Sequence, residues 1–392
     1  MEITEPTDDD VDELVDLRVR AFGVLTAAGR ERAVTTRRRA IEDGRALVVR
    51  DEGRPVASAS WIPFRQWWLG RPLDMAGVTA VVVSPEYRGR GMGSTMMRAL
   101  VQRMHARGFP LSALYPATMP PYRRVGYELA GVLHSVTVRT DALRGLGRDG
   151  IDLPRPHRVG RECAEAVRAA VDEAQRRNLE CGPVSWPVAA LADHLGEDEQ
   201  FTYLVDGDAG HGFLGYRWEG ASLRASHVVA DSPDVARALW AQLGSGSSTA
   251  ETVHANVAPD DPVFWLLRDV GVRPRGQDWW MLRLLDASAA VAARGFPSGV
   301  EVDVPLVVTD ELLPHNAGRR RLRVRDGSGS LVDDEAAGGD ALHVEARGLA
   351  ALYAGTSLST LRGAELVRGG DRRSDTALDA AFGGPAFCRD FF

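Results

Sequence analysis

Apolar positions along the chain switch between two periods, and each switch predicts an element. An Ile-containing strand opens the chain. Thr7-Asp8 supplies a helix N-cap, and Val11, Leu14, Val15, Val19 and Phe22 follow at helical spacing. Residues 45–50 and 54–63 read as strands about a turn at 51–53. Residues 78–83 form an unbroken apolar β run. Beyond Ser84-Pro85 and a glycine-rich turn, Met96, Met97, Leu100, Val101 and Met104 mark one face of a helix that stops near Gly108. Residues 111–114 make a short buried strand, and 122–127 and 131–138 close the region. The order β-α-β-β-β-α-β predicts a mixed sheet with helices on its faces.

A second region starts near Asp141, rich in Gly, Asp and Arg. It predicts a helix over 162–177, a hairpin at 201–205 and 212–218, a strand at 223–230 and a helix from Pro233 to Leu243. A loop spans 244–248, and 264–267 and 279–285 read as buried elements. Residues 78–100 and 224–243 share a strand, a Ser-Pro and a helix. The second copy has no glycine turn, so it reads as a degenerate internal repeat. A third region, from Ala287, predicts strands at 302–308 and 321–324, a turn at 314–318, and helices around 342–353 and 376–382. The chain ends Phe387-Cys388-Arg389-Asp390-Phe391-Phe392. Most chain ends are polar and mobile; one with three Phe is expected to pack inside.

At about 150 residues per domain, 392 residues fit two or three domains; the three regions set expected boundaries at 1–140, 141–286 and 287–392. Hydrophobic residues are 44% and charged residues 26%, which disfavours disordered or fibrous classes. No apolar run is long enough for a transmembrane helix, and the acidic start does not read as a secretory signal. Cys163, Cys181 and Cys388 are far apart and odd in number, against a disulfide framework or a Cys-based zinc site; the expected compartment is the cytoplasm. A formal charge of −7 disfavours nucleic acid and mildly favours cationic small molecules. All 47 basic residues are Arg, so no lysine can serve as a Schiff-base group, a general base or a target of self-acetylation. His105, His134, His194, His211 and His227 lack metal-ligand spacing, and no metal is expected.

The strongest chemical signal is Arg88-Gly89-Arg90-Gly91-Met92-Gly93, set directly between a β run and an amphipathic helix. Phosphate oxygens need convergent N–H donors with no side chain in the way. A strand turning into a helix supplies them, because the first helical amides lack intrahelical partners and the helix dipole adds positive potential. Gly91 and Gly93 let the backbone approach an anion, and Arg88 and Arg90 can add charge-assisted contacts. The turn lacks Gly-Lys-Ser/Thr and does not follow Gly-x-Gly-x-x-Gly, so it is neither a nucleotide P-loop nor a dinucleotide fingerprint.

This segment resembles the pyrophosphate-binding motif of the GNAT acyltransferases. The stretch Tyr115-Pro-Ala-Thr-Met-Pro-Pro-Tyr122-Arg-Arg-Val-Gly126-Tyr127 is similar to one in the Eis (enhanced intracellular survival) acetyltransferases. The resemblance implies an α/β (α+β) chain of two GNAT-like mixed-sheet domains, the second degenerate, and a C-terminal sterol-carrier-like domain. It implies acetyl-CoA as co-substrate, held by Val81, Val82, Val83, Arg88, Gly89, Arg90, Gly91, Met92, Gly93, Ser94, Ala117 and Thr118. It implies Tyr122 as the general acid and the carboxylate of Phe392 as the general base, and a homo-oligomer such as a hexamer. Two positions depart from the family's pattern. Ala80 stands where an aromatic is common, which bears on the acceptor pocket, and Gly89 stands in a loop often richer in Arg.

The implied acid–base pair has a definite energetic cost. A tyrosine near pKa 10 protonates a thiolate near 8.5 uphill by about 2 kcal/mol, within reach of positioning. A terminal carboxyl facing an ammonium is mismatched by roughly 9 kcal/mol. Burial beside Phe387, Phe391 and Phe392 narrows that gap, and deprotonation through water is expected, with the carboxylate also holding the cation. The function this implies is acetyl transfer to a primary amine of a cationic small molecule such as an aminoglycoside. The alternatives are a protein lysine, a biosynthetic intermediate, or a non-catalytic ligand-binding scaffold. Among other residues, Trp61, Trp67 and Trp68 are candidates for a pocket wall or for a surface or interface role, Tyr115 and Tyr127 for core or sheet, and Asp390 for a partner of a substrate ammonium or, more in keeping with a tail, a solvated charge. Arg37-Arg38-Arg39 and Arg319-Arg320-Arg321 read as solvated faces or ion-pair partners.

Overall fold

The computed structural model describes residues 2–147, 152–268, 271–335, 341–384 and 386–392. The first unit comprises β1 (Glu2–Thr4), α1 (Val11–Phe22), α2 (Ala27–Glu42), β2 (Ala46–Asp51), β3 (Arg54–Trp68), β4 (Arg71–Val83), α3 (Met92–Ala106), β5 (Leu111–Leu114), α4 (Pro120–Arg123) and β6 (Glu128–Arg139). The second comprises α5 (Thr140–Arg144), β7 (His157–Arg158), α6 (Ala164–Asn178), β8 (Cys181–Ser185), α7 (Val188–Leu195), β9 (Phe201–Gly207), β10 (Gly210–Glu219), β11 (Ser222–Ala230), α8 (Pro233–Gly244), β12 (Thr252–Val257), α9 (Val263–Leu266) and β13 (Val272–Leu284). The third comprises α10 (Ala287–Ala293), β14 (Val302–Thr309), β15 (Gly318–Arg325), β16 (Ser328–Asp333), β17 (Leu342–Glu345), α11 (Ala346–Tyr353), α12 (Leu358–Gly363), β18 (Val367–Gly369) and α13 (Arg372–Phe382).

The first two units share one mixed sheet, ordered β1-β2-β3-β4-β5-β13-β6-β12-β11-β10-β9-β7, with β8 paired to β3. The exchange at its centre matters most. β13, from the second unit, lies antiparallel to both β5 and β6 of the first. The third unit has its own five-stranded sheet, ordered β16-β15-β14-β17-β18.

The helical stripe of α3 explains the first core. Met96, Met97, Leu100, Val101 and Met104 are all fully buried and cluster with Trp61, Ala76 and Val78. Each such side chain removed from water contributes about 1.5–3 kcal/mol. The third unit docks through a cation. Arg294 is fully buried, with its guanidinium carbon 5.2 Å from the Trp68 ring and 4.6–4.9 Å from those of Phe296, Tyr353 and Phe382. A ring quadrupole attracts a desolvated cation strongly, so Trp68 of the first unit and three aromatics of the third share one charge.

Several elements differ from the sequence pattern for physical reasons. Helix α2 was not expected, because its burial is confined to Arg37 and Ala40 and no apolar stripe forms. Residues 342–345 form a strand before the helix begins, with alternating burial typical of a half-covered sheet. Trp265 and Trp279, expected inside, are exposed, as is Phe22. Arg37, expected to be solvated or paired, is buried, and desolvation together with nearby Arg18 pushes its pKa down to about 10.

One buried ion pair ties β13 to the third unit. Arg283 and Asp310 are 1% and 2% exposed in their side chains and meet at 2.6 Å and 2.7 Å. Asp310→Ala leaves a buried guanidinium unpaired and is expected to cost about 3–5 kcal/mol of unfolding free energy. Denaturant titration measures this directly; a loss under about 1 kcal/mol would contradict the assigned role.

Candidate active site

The site begins where two parallel strands stop pairing. β4 and β5 are joined at Met75–Leu111, Ala76–Ser112 and Gly77–Ala113, and no further. β4 continues to Val83, whereas β5 ends at Leu114. On the other edge of β4 a bulge interrupts the ladder to β3. Ser60 faces Thr79 and Ser58 faces Val82, so Ala80 and Val81 have no partner there. Ala80 adopts a left-handed φ of 53°, which costs a non-glycine residue about 1–2 kcal/mol. The parted strands border a cavity of about 770 Å³, a size usual for small-molecule sites.

At the far end of β4 the glycine turn leads into α3. Gly89 and Gly91 have φ values of 76° and 80°, and a Cβ on either would meet nothing within 4 Å. Backbone conformation and open space both favour glycine there. Thr95 N–H donates to the Gly91 carbonyl at 3.1 Å, the first bond of the helix. Among the described residues, the N–H groups of Gly89, Arg90, Gly91, Met92, Gly93 and Ser94 find no acceptor. These donors, at the positive end of a four-turn helix, suit a multivalent anion. Arg90 lies 5.3 Å above the Tyr87 ring, whose hydroxyl donates to Asp51 at 2.7 Å. The side chains of Val82 and Met92 are buried in the core, so these two residues can reach a ligand only through their backbone. Ala117 lines the cavity, and Thr118 is exposed outside its lining.

Tyr122 is carried on the single turn of α4, and its neighbours hold that turn. Arg123 donates to Glu128 Oε1 from Nε at 3.1 Å and from Nη2 at 2.7 Å, while Arg347 of the third unit donates to Oε2 of the same carboxylate at 2.8 Å. Gly126 has φ 88°, and a Cβ there would sit 2.8 Å from the Arg283 guanidinium carbon. Tyr127 is fully buried, its hydroxyl 2.7 Å from Ser112 Oγ. Tyr122 lines the cavity; its hydroxyl has no hydrogen-bond partner among the described residues and is shifted above the usual phenol pKa by burial. It therefore stays protonated through neutral pH.

The tail reaches the same cavity. Phe387, Cys388, Arg389 and Asp390 are buried, in line with the expectation that the end packs inside, but Phe391 is 65% exposed at the cavity mouth. The Phe392 ring lies 4.8 Å from Phe64 and 5.4 Å from Tyr115, and packs over Gly77, where a Cβ would come within 3.0 Å of it. Tyr122 and Phe392 thus border one space, next to the last paired residue of β4.

Three readings change. Asp390 is not a solvated charge: it is buried and accepts hydrogen bonds from Trp186 Nε1 and His227 Nε2, both at 2.6 Å. Burial alone would raise its pKa, but His227 and Trp186 hold it below the ordinary value. Trp61, Trp67 and Trp68 are not pocket walls; all three are buried. Trp67 donates to Ser185 of β8 at 2.8 Å and Trp68 packs against Tyr353, so both serve interfaces. Tyr115 does more than fill core, since its hydroxyl donates to the Asp390 carbonyl at 2.8 Å. Gln277, Asp278 and Trp279 of β13 line the cavity unforeseen. No local pattern marks them, because they arrive through the strand exchange.

Residues 2–130 match the acetyltransferase (GNAT) domain family, residues 182–284 a second acetyltransferase (GNAT) domain family, and residues 287–388 the sterol carrier protein domain family. The chain is 30% identical to an N-acetyltransferase Eis of Mycobacterium tuberculosis, over 97% of this chain and 96% of that protein. It is 41% identical to a GCN5-related N-acetyltransferase from Kribbella flavida of known structure, with a TM-score of 0.93 over 100% of this chain and 98% of the other. Eis1 from Mycobacterium abscessus, at 23% identity and full coverage of both chains, shares the fold with a TM-score of 0.80.

Gly91→Ala tests the turn. Forcing alanine into the left-handed region costs about 1–2 kcal/mol, so Kd for a CoA-type diphosphate is expected to rise about 5- to 30-fold with little change in the melting temperature. Calorimetric titration reads the shift; unchanged affinity would remove the turn from the binding site.

Proposed function

The chain belongs to the Eis-type N-acetyltransferases of the GNAT superfamily, and from that premise we propose that it transfers acetyl from acetyl-CoA directly to a primary amine of a cationic small molecule such as an aminoglycoside. One observation carries the proposal. The unbonded amides of Gly89 to Ser94 follow the end of β4, and Tyr122 lines the cavity that the parted β4 and β5 border. Six open donors suit a diphosphate, and the gap suits the arm attached to it. Arg88, Arg90 and the backbone of Val81, Val82 and Val83 would complete that cradle, with Ala117 and Thr118 near its rim. When bound, the thioester supplies an electrophilic carbonyl and a thiolate leaving group.

The chain's own groups manage the protons. In this reading the Phe392 carboxylate takes one proton from the acceptor ammonium through water, freeing the nitrogen lone pair. As the N–C bond forms and the C–S bond breaks, the Tyr122 hydroxyl donates its proton to sulfur. The proton shed by nitrogen as the amide forms then restores the tyrosine through solvent. Burial keeps Tyr122 neutral, which preserves the acid at the cost of a somewhat steeper donation. The cavity lining supports a cationic acceptor: it holds Asp278 and, in this reading, the carboxylate of Phe392 against one cation, Arg18. An amine acceptor of net positive charge is drawn to such a wall.

Tyr122→Phe keeps the ring and removes the proton. It is expected to lower kcat by at least ~10²-fold with little change in KM for acetyl-CoA. In the parent, the raised phenol pKa predicts that loss of kcat from tyrosine ionisation sets in only above the range of an ordinary tyrosine. Steady-state rates with acetyl-CoA and a panel of kanamycin, neamine, spermidine and a lysine peptide measure both effects and the acceptor class. Parent-like turnover in Tyr122→Phe would reject Tyr122 as the acid, and preference for the peptide would reject the small-molecule acceptor.

A further inference from the structure

The second unit repeats the parted strands of the first. β11 and β12 run parallel and pair from Ser222–Thr252 to Ala225–Ala255, after which β11 leaves β12 and continues to Ala230 paired only with β10. In the first unit the matching gap borders the 770 Å³ cavity. In the second it is filled by the chain's own tail. Asn256, just past the last pair on β12, donates from Nδ2 to the Arg389 carbonyl at 2.9 Å, and Ser135 orients that amide by donating to its Oδ1 at 3.0 Å. His227, on the freed end of β11, meets the Asp390 carboxylate at 2.6 Å. Arg389 forms a two-pronged pair with Glu180 at 2.8 Å and 2.9 Å, beside α8 in a cleft of about 250 Å³. Upstream, Gly131 and Gly182 flank the tail so closely that a Cβ on either would strike the carbonyl of Ala386 or Phe387.

We propose that the degenerate slot between β11 and β12 is a clamp that positions the reactive end of the tail: Asn256, His227 and Glu180 hold Arg389 and Asp390, and thereby set where Phe392 stands in the first slot. This rests on the reading of the Phe392 carboxylate as base. The two slots are bridged by a short run of chain. Asp390 is held on both sides, its carboxylate by the second unit and its carbonyl by Tyr115 of the first. Two residues later the Phe392 ring packs on Gly77. A slot that has lost its glycine turn still presents polar side chains where its strands part, and the tail satisfies those of Asn256 and His227. These residues act through Phe392 and are positioning residues.

The test uses the full chain, acetyl-CoA and the fastest acceptor of the panel above. Asn256→Ala and His227→Ala are each expected to lower kcat at least ~10-fold, as small displacements of a reacting group do, with KM for acetyl-CoA within about twofold of the parent. His227→Gln keeps a donor and is expected to recover most of the loss. Deleting Phe392 is expected to cost ~10²-fold, and either clamp substitution added to that deletion is expected to cost nothing more. Asn256→Ala removes one hydrogen bond and strands no charge, so it decides the matter should His227→Ala not fold. Clamp variants with parent-like kcat, or losses that multiply with the deletion, overturn the clamp alone. Parent-like turnover after deleting Phe392 overturns the terminal base, and the clamp with it.

Discussion

Everything distinctive in this molecule follows from a parallel pair of strands that separates after Gly77 and Ala113. A continuous ladder would satisfy the backbone of β4 on both edges and leave no room for a ligand. Here β5 stops, the bulge at Ala80 breaks the register with β3, and the strand ends in a turn whose amides face away from protein acceptors. The cost is real: a strained alanine, unpaired strand edges and a helix start without a side-chain cap. Met-rich packing under α3 offsets it, because five fully buried side chains hold the helix against the sheet while its first turn stays bare.

The same separation occurs twice, with opposite outcomes. In the first unit the gap is open; in the second it holds Arg389 and Asp390. Strand exchange joins the two, since β13 of the second unit completes the first unit's sheet beside β5. The third unit is fastened to both through Arg294, Arg347 and the Arg283–Asp310 pair. The proposed acid at residue 122 and base at residue 392 need all three units in register, and these contacts hold the units together.

Elements set by local physics were legible in the sequence. The β run before the turn, the glycine spacing, the Met stripe of α3 and the hairpin at residues 51–53 each carry their own signature within a short window. The degenerate repeat was visible because strand, Ser-Pro and helix recur together even without the turn. Helix α2 was not, having almost no buried face. Nor were the roles of Asp278, Tyr115 and His227. They depend on partners far away in sequence, as in the contact of His227 with Asp390 across 163 positions. The tryptophans at 61, 67 and 68 stayed open between two roles for a related reason. A large aromatic suits a pocket wall and a domain interface equally, and only the path of β8 and the third unit decides between them.

In the proposed function the bare amides between β4 and α3 grip the diphosphate of the acetyl donor. Backbone hydrogen exchange with and without CoA reads those groups one by one. Protection is expected to appear at Gly89 to Ser94 on binding, with a smaller change along Val81 to Val83. CoA bound at full occupancy while those amides exchange as fast as before would contradict it.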